Sequence, residues 1–275
     1  MTGEGPSERD VAPDTRGRLA GRTVVVTRPA SQSGALVAAL AERGARALVA
    51  PAVRLVPAPT DAIDRAIRDV ADGRYDWMIL TSRAGVQALY DGLDRTGTHP
   101  DGLRARIAVV GAGTARALAD RGVRPHLIPP TFTTESLAEA MPPGPGRVLL
   151  ARADIASPEL EARLESKGWS ADRITAYRTE LEDELPDDVE RALRGEAVDA
   201  VTFTSASTVR GFLRMAARLP PEALAGPGRP AVVCIGPITA SEVRAAGLVV
   251  DAVARPHTID GLMEALERVV GRPSH

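Results

Sequence analysis

A chain of 275 residues, 44% hydrophobic and 25% charged, has the composition of a globular protein and room for two domains of ordinary size. A net charge of −2 excludes a broadly basic nucleic-acid-binding surface, and the single cysteine, Cys234, excludes an intramolecular disulfide and fits a reducing cytoplasm. No run approaches the roughly 20 apolar residues that span a membrane.

Residues 1–18 are polar and rich in Gly, Pro, Asp and Glu; without the apolar middle of a signal peptide they read as a disordered tail. Short β-branched runs then predict strands at 22–27, 45–50, 76–80, 106–110, 124–128, 147–151, 171–175, 199–203, 231–235 and 248–253. Amphipathic stretches lie between them. They close on Gly44, Gly122, Gly168, Gly195 and Gly247, where a left-handed residue after the last turn favours glycine. After Arg152 a helix start is predicted with Ser157 as cap, Pro158 at the first position and Glu159 in the first turn; Leu160 and Leu164 then share one face. Strands alternating with helices give the α/β class, with parallel sheets covered by helices on both faces. Aromatic residues are only 3%, so the core is aliphatic. Lys167 is the only lysine; arginine carries the remaining positive charge and suits bidentate capture of carboxylates. Cys234, inside the apolar run Ala231-Val-Val-Cys-Ile235, reads as a buried structural thiol.

One pattern occurs twice. Gly21-Arg-Thr-Val-Val-Val26, leading to Arg28, resembles Gly146-Arg-Val-Leu-Leu150, leading to Arg152, at an offset of 124 residues. Asp76-Trp-Met-Ile-Leu-Thr-Ser82 resembles Asp199-Ala-Val-Thr-Phe-Thr-Ser205 at 123. Gly111-Ala-Gly-Thr-Ala115 resembles Gly236-Pro-Ile-Thr-Ala240 at 125, and the match continues through Gly122 and Gly247 to Leu137 and Leu262. Near-constant spacing over half the chain identifies a duplication.

Ligands of open parallel sheets bind beyond the carboxyl ends of the strands. Thr81-Ser82 and Thr204-Ser205 stand at such ends, and Gly111 with Thr114 and Gly236 with Thr239 open the helices after two further strands. The hydroxyls suit helix capping, and a capped helix start still offers N–H groups to an anion, so both roles stay open. Gly111-Ala-Gly is not a dinucleotide fingerprint: Arg116 stands where a third small residue belongs, and no acid ends the run 124–128. No cofactor is expected. His99, His126, His257 and His275 show no metal-ligand spacing, so no metal is expected either; His257, before the last helix, reads as an exposed loop residue, with ligand contact the alternative. No G-x-S-x-G elbow or P-loop is present.

Val26-Thr-Arg-Pro29, Thr81-Ser82, Val110-Gly-x-Gly-Thr-Ala115, Ala176-Tyr-Arg-Thr179, Phe203-Thr-Ser205, Ile235-Gly-Pro-x-Thr-Ala240 and His257-Thr-x-x-Gly-Leu262 occur in this order. Together with the repeat, they make the chain resemble the uroporphyrinogen-III synthase family over about residues 20–270. The resemblance implies two similar flavodoxin-like domains: 19–50 with 181–275, and 57–174. It implies two antiparallel linker strands, at 51–56 and 175–180, and an active site in the cleft between the domains. The implied reaction is cofactor-free cyclisation and dehydration of hydroxymethylbilane to uroporphyrinogen III, with inversion of the last pyrrole ring. Tyr177 is the implied catalytic residue, assisting departure of the hydroxyl. Thr81, Ser82, Gly111, Thr114, Thr204, Ser205, Gly236 and Thr239 are expected to bind substrate carboxylates. For Arg28 and Arg152, carboxylate contact and a structural salt bridge both stay open. A cytoplasmic monomer is expected, and transient contact with hydroxymethylbilane synthase is allowed. Two alternatives remain at this stage: a two-lobed module that clamps small anions, and a regulatory protein that keeps the synthase fold without its activity.

Overall fold

The computed structural model describes residues 17–195 and 197–271. The tail expected at the N-terminus falls outside the described residues up to 16. Gly17 and Arg18 already belong to a turn, with the Ala20 N–H donating to the Gly17 carbonyl and Leu19 fully buried.

The chain opens with β1 (Thr23–Val26), α1 (Ala30–Glu42) and β2 (Arg46–Val49). There follow β3 (Val53–Pro57), α2 (Thr60–Ala71), β4 (Trp77–Leu80), α3 (Arg83–Thr96), β5 (Arg106–Val109), α4 (Ala112–Ala119), α5 (Thr134–Ala140), β6 (Arg147–Ala153), α6 (Glu159–Glu165) and β7 (Ser170–Leu181). The last stretch holds α7 (Asp187–Arg194), β8 (Ala200–Phe203), α8 (Ala206–Met215), α9 (Glu222–Ala225), β9 (Ala231–Cys234), α10 (Pro237–Ala245), β10 (Ala252–Val253) and α11 (Ile259–Val270).

These elements form two compact units. One contains the chain up to Arg54 and from Leu181 on, the other Leu55–Glu180. The first unit holds a sheet of order β10-β9-β8-β1-β2, parallel at all four pairings. The second holds β3-β7-β6-β4-β5, parallel at β4–β5, β4–β6 and β6–β7. The sequence repeat is visible in this order. β1 and β2 correspond to β6 and β7, while β8 and β9 correspond to β4 and β5. Each unit therefore combines the first two strands of one copy with the later strands of the other.

Burial follows the pleat, whose side chains alternate between faces. In the first unit, Val25, Val201, Phe203, Val232 and Cys234 face Val189 of α7, Phe212 of α8 and Val243 of α10. Val24, Val26 and Val233 face Leu36 and Leu40 of α1 and Leu262 and Leu266 of α11. In the second unit, Met78, Leu80, Leu149 and Ala151 pack with α2, α3 and α4, and Ile79, Val148 and Leu150 pack with α5 and α6. The cores are aliphatic, as the composition predicts. Cys234 is fully buried, which pushes its thiol up to about 12.

Several boundaries differ from expectation. The run 124–128 makes one isolated bridge, Ala108 to Leu127, because Pro125, Pro129 and Pro130 interrupt its supply of N–H donors. Of 248–253 only Ala252–Val253 is strand. The predicted strand 171–175 and the residues 175–180 after it form one twelve-residue strand, β7. Gly44, Gly122, Gly168 and Gly247 have φ between 78° and 94°, as helix ends favour; Gly195 does not, at φ −92°. Helix α6 begins at Glu159 with Pro158 in the cap position, one residue later than predicted, although the Ser157 hydroxyl still accepts from the Glu159 N–H. Lys167 is structural: its ammonium donates to the carbonyls of Glu139 and Met141 at 2.7 Å.

Candidate active site

The residues singled out in the sequence stand at the carboxyl ends of the strands in both units. In the Leu55–Glu180 unit, β4 ends in Thr81-Ser82. The Ser82 hydroxyl caps α3, accepting from the Gly85 N–H at 3.0 Å. Gly111 occupies the cap position of α4 with extended backbone, and Thr114 in its first turn is 5% exposed. Thr81 is partly buried.

Tyr177 reaches this edge because of an irregularity in β7. Arg152 pairs with Thr175 and Ala153 pairs with Tyr177, so Ala176 is an extra residue, a bulge between two parallel strands. Leu149 and Ala151 lie on the α3 side of the sheet, and alternation puts Ala153 there as well. The residue opposite Ala153 shares that face. Without the extra residue, that place would fall to Ala176, and Tyr177 would point to the other face, with Arg152. With it, Tyr177 packs against the α3-side core, where Ser82 is near enough to act on its phenol. Burial pushes the phenol above its usual range. Ser82 and the charge of Arg152 pull it down, and Asp154 pushes it further up. A phenol so placed stays protonated at neutral pH and can donate a hydrogen bond.

The loop after β6 fixes the backbone of Tyr177. The Asp154 N–H donates to the Tyr177 carbonyl at 3.1 Å, and the Thr179 N–H donates to Asp154 Oδ1 at 3.0 Å. Two arginines hold the loop in turn. Arg173 donates to the carbonyls of Ala153, Asp154 and Ala156, and Arg152 donates to that of Ser157. Arg152 makes one of its two expected contacts, a structural ion pair: it is 5% exposed and meets Glu161 Oε2 at 2.6 Å. Neither Asp154 nor Glu161 was singled out in the sequence. An acid two residues beyond Arg152 is a weak signal for the first; the fold alone brings the second to Arg152.

In the other unit, Thr204-Ser205 ends β8, and Ser205 caps α8 in a reciprocal box with Thr208. Its hydroxyl also shares a 2.9 Å hydrogen bond with Ser207. Gly236 begins α10; Thr239 is 4% exposed and Ile238 is 78% exposed. His257 is exposed, as expected, with its ring 3.7 Å from where a side chain on Gly236 would begin. Arg28, just beyond β1, is partly buried and donates to Gln32 Oε1 at 3.4 Å. Among the described residues no group of three or more His, Cys, Asp or Glu side chains could hold a metal ion, and no helix is long and apolar enough to cross a membrane.

Known proteins give this arrangement a context. Residues 34–264 match the family model described as uroporphyrinogen-III synthase HemD. The chain is 34% identical to a uroporphyrinogen-III synthase of Synechococcus elongatus, over 91% of this chain and 96% of that protein. It is 32% identical to a porphyrin biosynthesis protein HemD of Ruminiclostridium josui, over 92% of this chain and about half (49%) of that longer protein. A crystal structure of a mutant uroporphyrinogen III synthase from Thermus thermophilus shares the fold, with a TM-score of 0.61 at 24% identity, over 90% of this chain and 98% of that one. By its family model and its full-length relatives, the chain belongs to the uroporphyrinogen-III synthase family.

Proposed function

We propose that this protein converts hydroxymethylbilane to uroporphyrinogen III, acting as a cyclising hydro-lyase without a cofactor. It would work as a cytoplasmic monomer that meets hydroxymethylbilane synthase at most transiently. The observation that carries the reading is Tyr177, turned by the β7 bulge onto the Ser82 cap at a carboxyl sheet edge in a chain of this family. In the proposed reaction, the hydroxymethyl C–O bond breaks as the electron pair of its own pyrrole nitrogen pushes the oxygen out. Tyr177 donates a hydrogen bond to that oxygen, which leaves as water. The methylene left behind is attacked by the substituted α-carbon of the last ring. The spiro intermediate fragments by breaking the bond from that α-carbon to the methylene that joined the last ring to its neighbour; the ring turns over, and its other α-carbon attacks the freed methylene to close the macrocycle. The hydrogen lost there balances the proton taken up by the departing hydroxide, so the net change is loss of one water. Orientation is the protein's main contribution, since the open chain can close unaided to the uninverted isomer. Helix starts at Ser82, Gly111, Ser205 and Gly236, with Thr81, Thr114, Thr204 and Thr239 beside them, are assigned to the substrate's carboxylates. Arg28 is assigned to the same role.

The test feeds freshly made hydroxymethylbilane to the protein and measures the isomer ratio of the oxidised products. Excess type III is expected; type I alone overturns the reading. Tyr177→Phe is expected to slow turnover by up to about a hundredfold, the low end of what a positioned proton donor contributes, without shifting the unfolding midpoint. Equal turnover by the variant would remove Tyr177 from the chemistry.

A further inference from the structure

The protein has only two Trp, three Tyr and three Phe. Six of these side chains, Tyr75, Trp77, Tyr90, Trp169, Phe203 and Phe212, are buried in the two cores. The two that are not are Tyr177 and Phe132. Phe132 is 56% exposed, yet its base is held: a Cβ added at Gly111 would come within 3.1 Å of the Phe132 Cβ and 3.2 Å of its Cγ. Gly111 has extended backbone that any residue can adopt, so what a side chain here would meet is Phe132 and not a conformational limit. The ring therefore stands over the start of α4, just past the bridge at Leu127, on the carboxyl edge that also carries Ser82 and Tyr177.

The repeat supplies a second observation. Phe132 lies 125 residues before His257, the offset that relates Gly111 to Gly236, and His257 lies over Gly236 in the same way. Each is followed by a threonine that caps the next helix, Thr133 for α5 and Thr258 for α11. The duplicated scaffold thus places one ring-bearing side chain over each of these glycines. Phe132 also occupies the position from which an apolar residue can staple a helix start, with buried Leu137 as its partner in sequence. A staple does not account for a residue left this exposed, and the polar His257 at the matching position shows that the scaffold does not need one.

We propose that Phe132 is a substrate-contacting residue that presents its aromatic face to one pyrrole ring of the bound tetrapyrrole. The proposal rests on the functional reading above. Carboxylate contacts at helix starts hold the periphery of such a molecule, but they do not select a face of a flat ring. An aromatic surface does, through offset or edge-on packing.

The test uses the full chain with Phe132→Ala, Phe132→Leu and Phe132→Tyr. With fresh hydroxymethylbilane, Phe132→Ala is expected to raise KM about tenfold, the size of one lost aromatic contact, with a smaller change in kcat and a larger fraction of type I product. Phe132→Tyr should restore both, and Phe132→Leu should not. If Phe132 were only a staple, Phe132→Ala would lower the melting midpoint, Phe132→Leu would restore it, and KM and isomer ratio would match the parent; that result overturns the inference. A parent that yields only type I would sink the functional reading instead. Fluorescence binding of uroporphyrin III then decides the contact separately: affinity unchanged in Phe132→Ala overturns it with or without turnover.

Discussion

Replacing Glu161 by leucine isolates what the Arg152 ion pair does. The two side chains are 6% and 11% exposed and meet at 2.6 Å, so Glu161→Leu would leave a guanidinium that water can barely reach. Removing one member of a buried pair costs about 3–5 kcal/mol, most of it the uncompensated charge. At about 4 °C per kcal/mol for a domain of this size, the melting transition of the Leu55–Glu180 unit should fall by roughly 12–20 °C. The pair is incompletely satisfied: Arg152 Nε and Glu161 Oε1 have no hydrogen-bond partner, and Arg173 approaches that oxygen only to 3.8 Å. Replacing both charges together should therefore be far milder, because the desolvation of both ions disappears with their attraction. The carbonyl of Ser157, an exposed residue, which accepts from Arg152, can then turn to water. Scanning calorimetry of Glu161→Leu, Arg152→Met and the double variant forms a thermodynamic cycle. A Glu161→Leu protein within about 0.5 kcal/mol of the parent, or a double variant as unstable as the summed singles, would refute the reasoning.

Thr239→Ala should weaken competitive inhibition by uroporphyrinogen III about tenfold, the loss of one hydrogen bond to a charged group; an unchanged inhibition constant would reduce Thr239 to a structural residue of α10. Gly211→Ala should lower the urea midpoint, because a Cβ there would sit 1.9 Å from the Ala52 carbonyl oxygen. Overpacking of about 1–3 kcal/mol outweighs the roughly 1 kcal/mol gained in helix propensity, and a midpoint at or above the parent's would contradict it. Asp251 is held below the usual carboxylate range by its hydrogen bonds from Arg229 and then by the Val232 N–H. Its contribution is therefore complete above the unfolded value of about 3.9 and is lost as pH falls through the folded value. Urea midpoints between pH 7 and pH 3 should fall less steeply in Asp251→Asn than in the parent; parallel curves would exclude the effect.

The class of fold was legible because alternation and turn glycines are local properties. Val24, Val25 and Val26 announce a strand by composition, and Gly44 or Gly247 ends a helix by its own φ. The serines at 82 and 205 could be read as caps for the same reason. What stayed hidden depends on pairing. The β7 bulge exists only relative to β6, so the sequence names Tyr177 without saying which face it takes. The partner of Arg152 lies nine residues away on α6, where nothing in the spacing distinguishes Glu161 from Glu159 or Glu165. Phe132 carries no signal in the sequence, because its exposure is set by the fold, while an aromatic residue in a chain so poor in them reads as core.

Duplication would by itself give two equal edges, and the helix starts do keep Thr81-Ser82 with Thr204-Ser205 and Gly111 with Gly236, while other positions diverge. Gly113 corresponds to Ile238, and Phe132 to His257. The offset of 124 that aligns β2 with the start of β7 places Val53 opposite Tyr177 and Pro51 opposite Thr175. The first copy breaks after Val49 and resumes as β3 at Val53, which is 2% exposed. The second copy has a donor at Thr175 and runs unbroken through its bulge to Leu181, carrying a phenol to the sheet edge where the first copy carries a buried valine. The copies thus diverge at these positions without altering the sheet order that both units share.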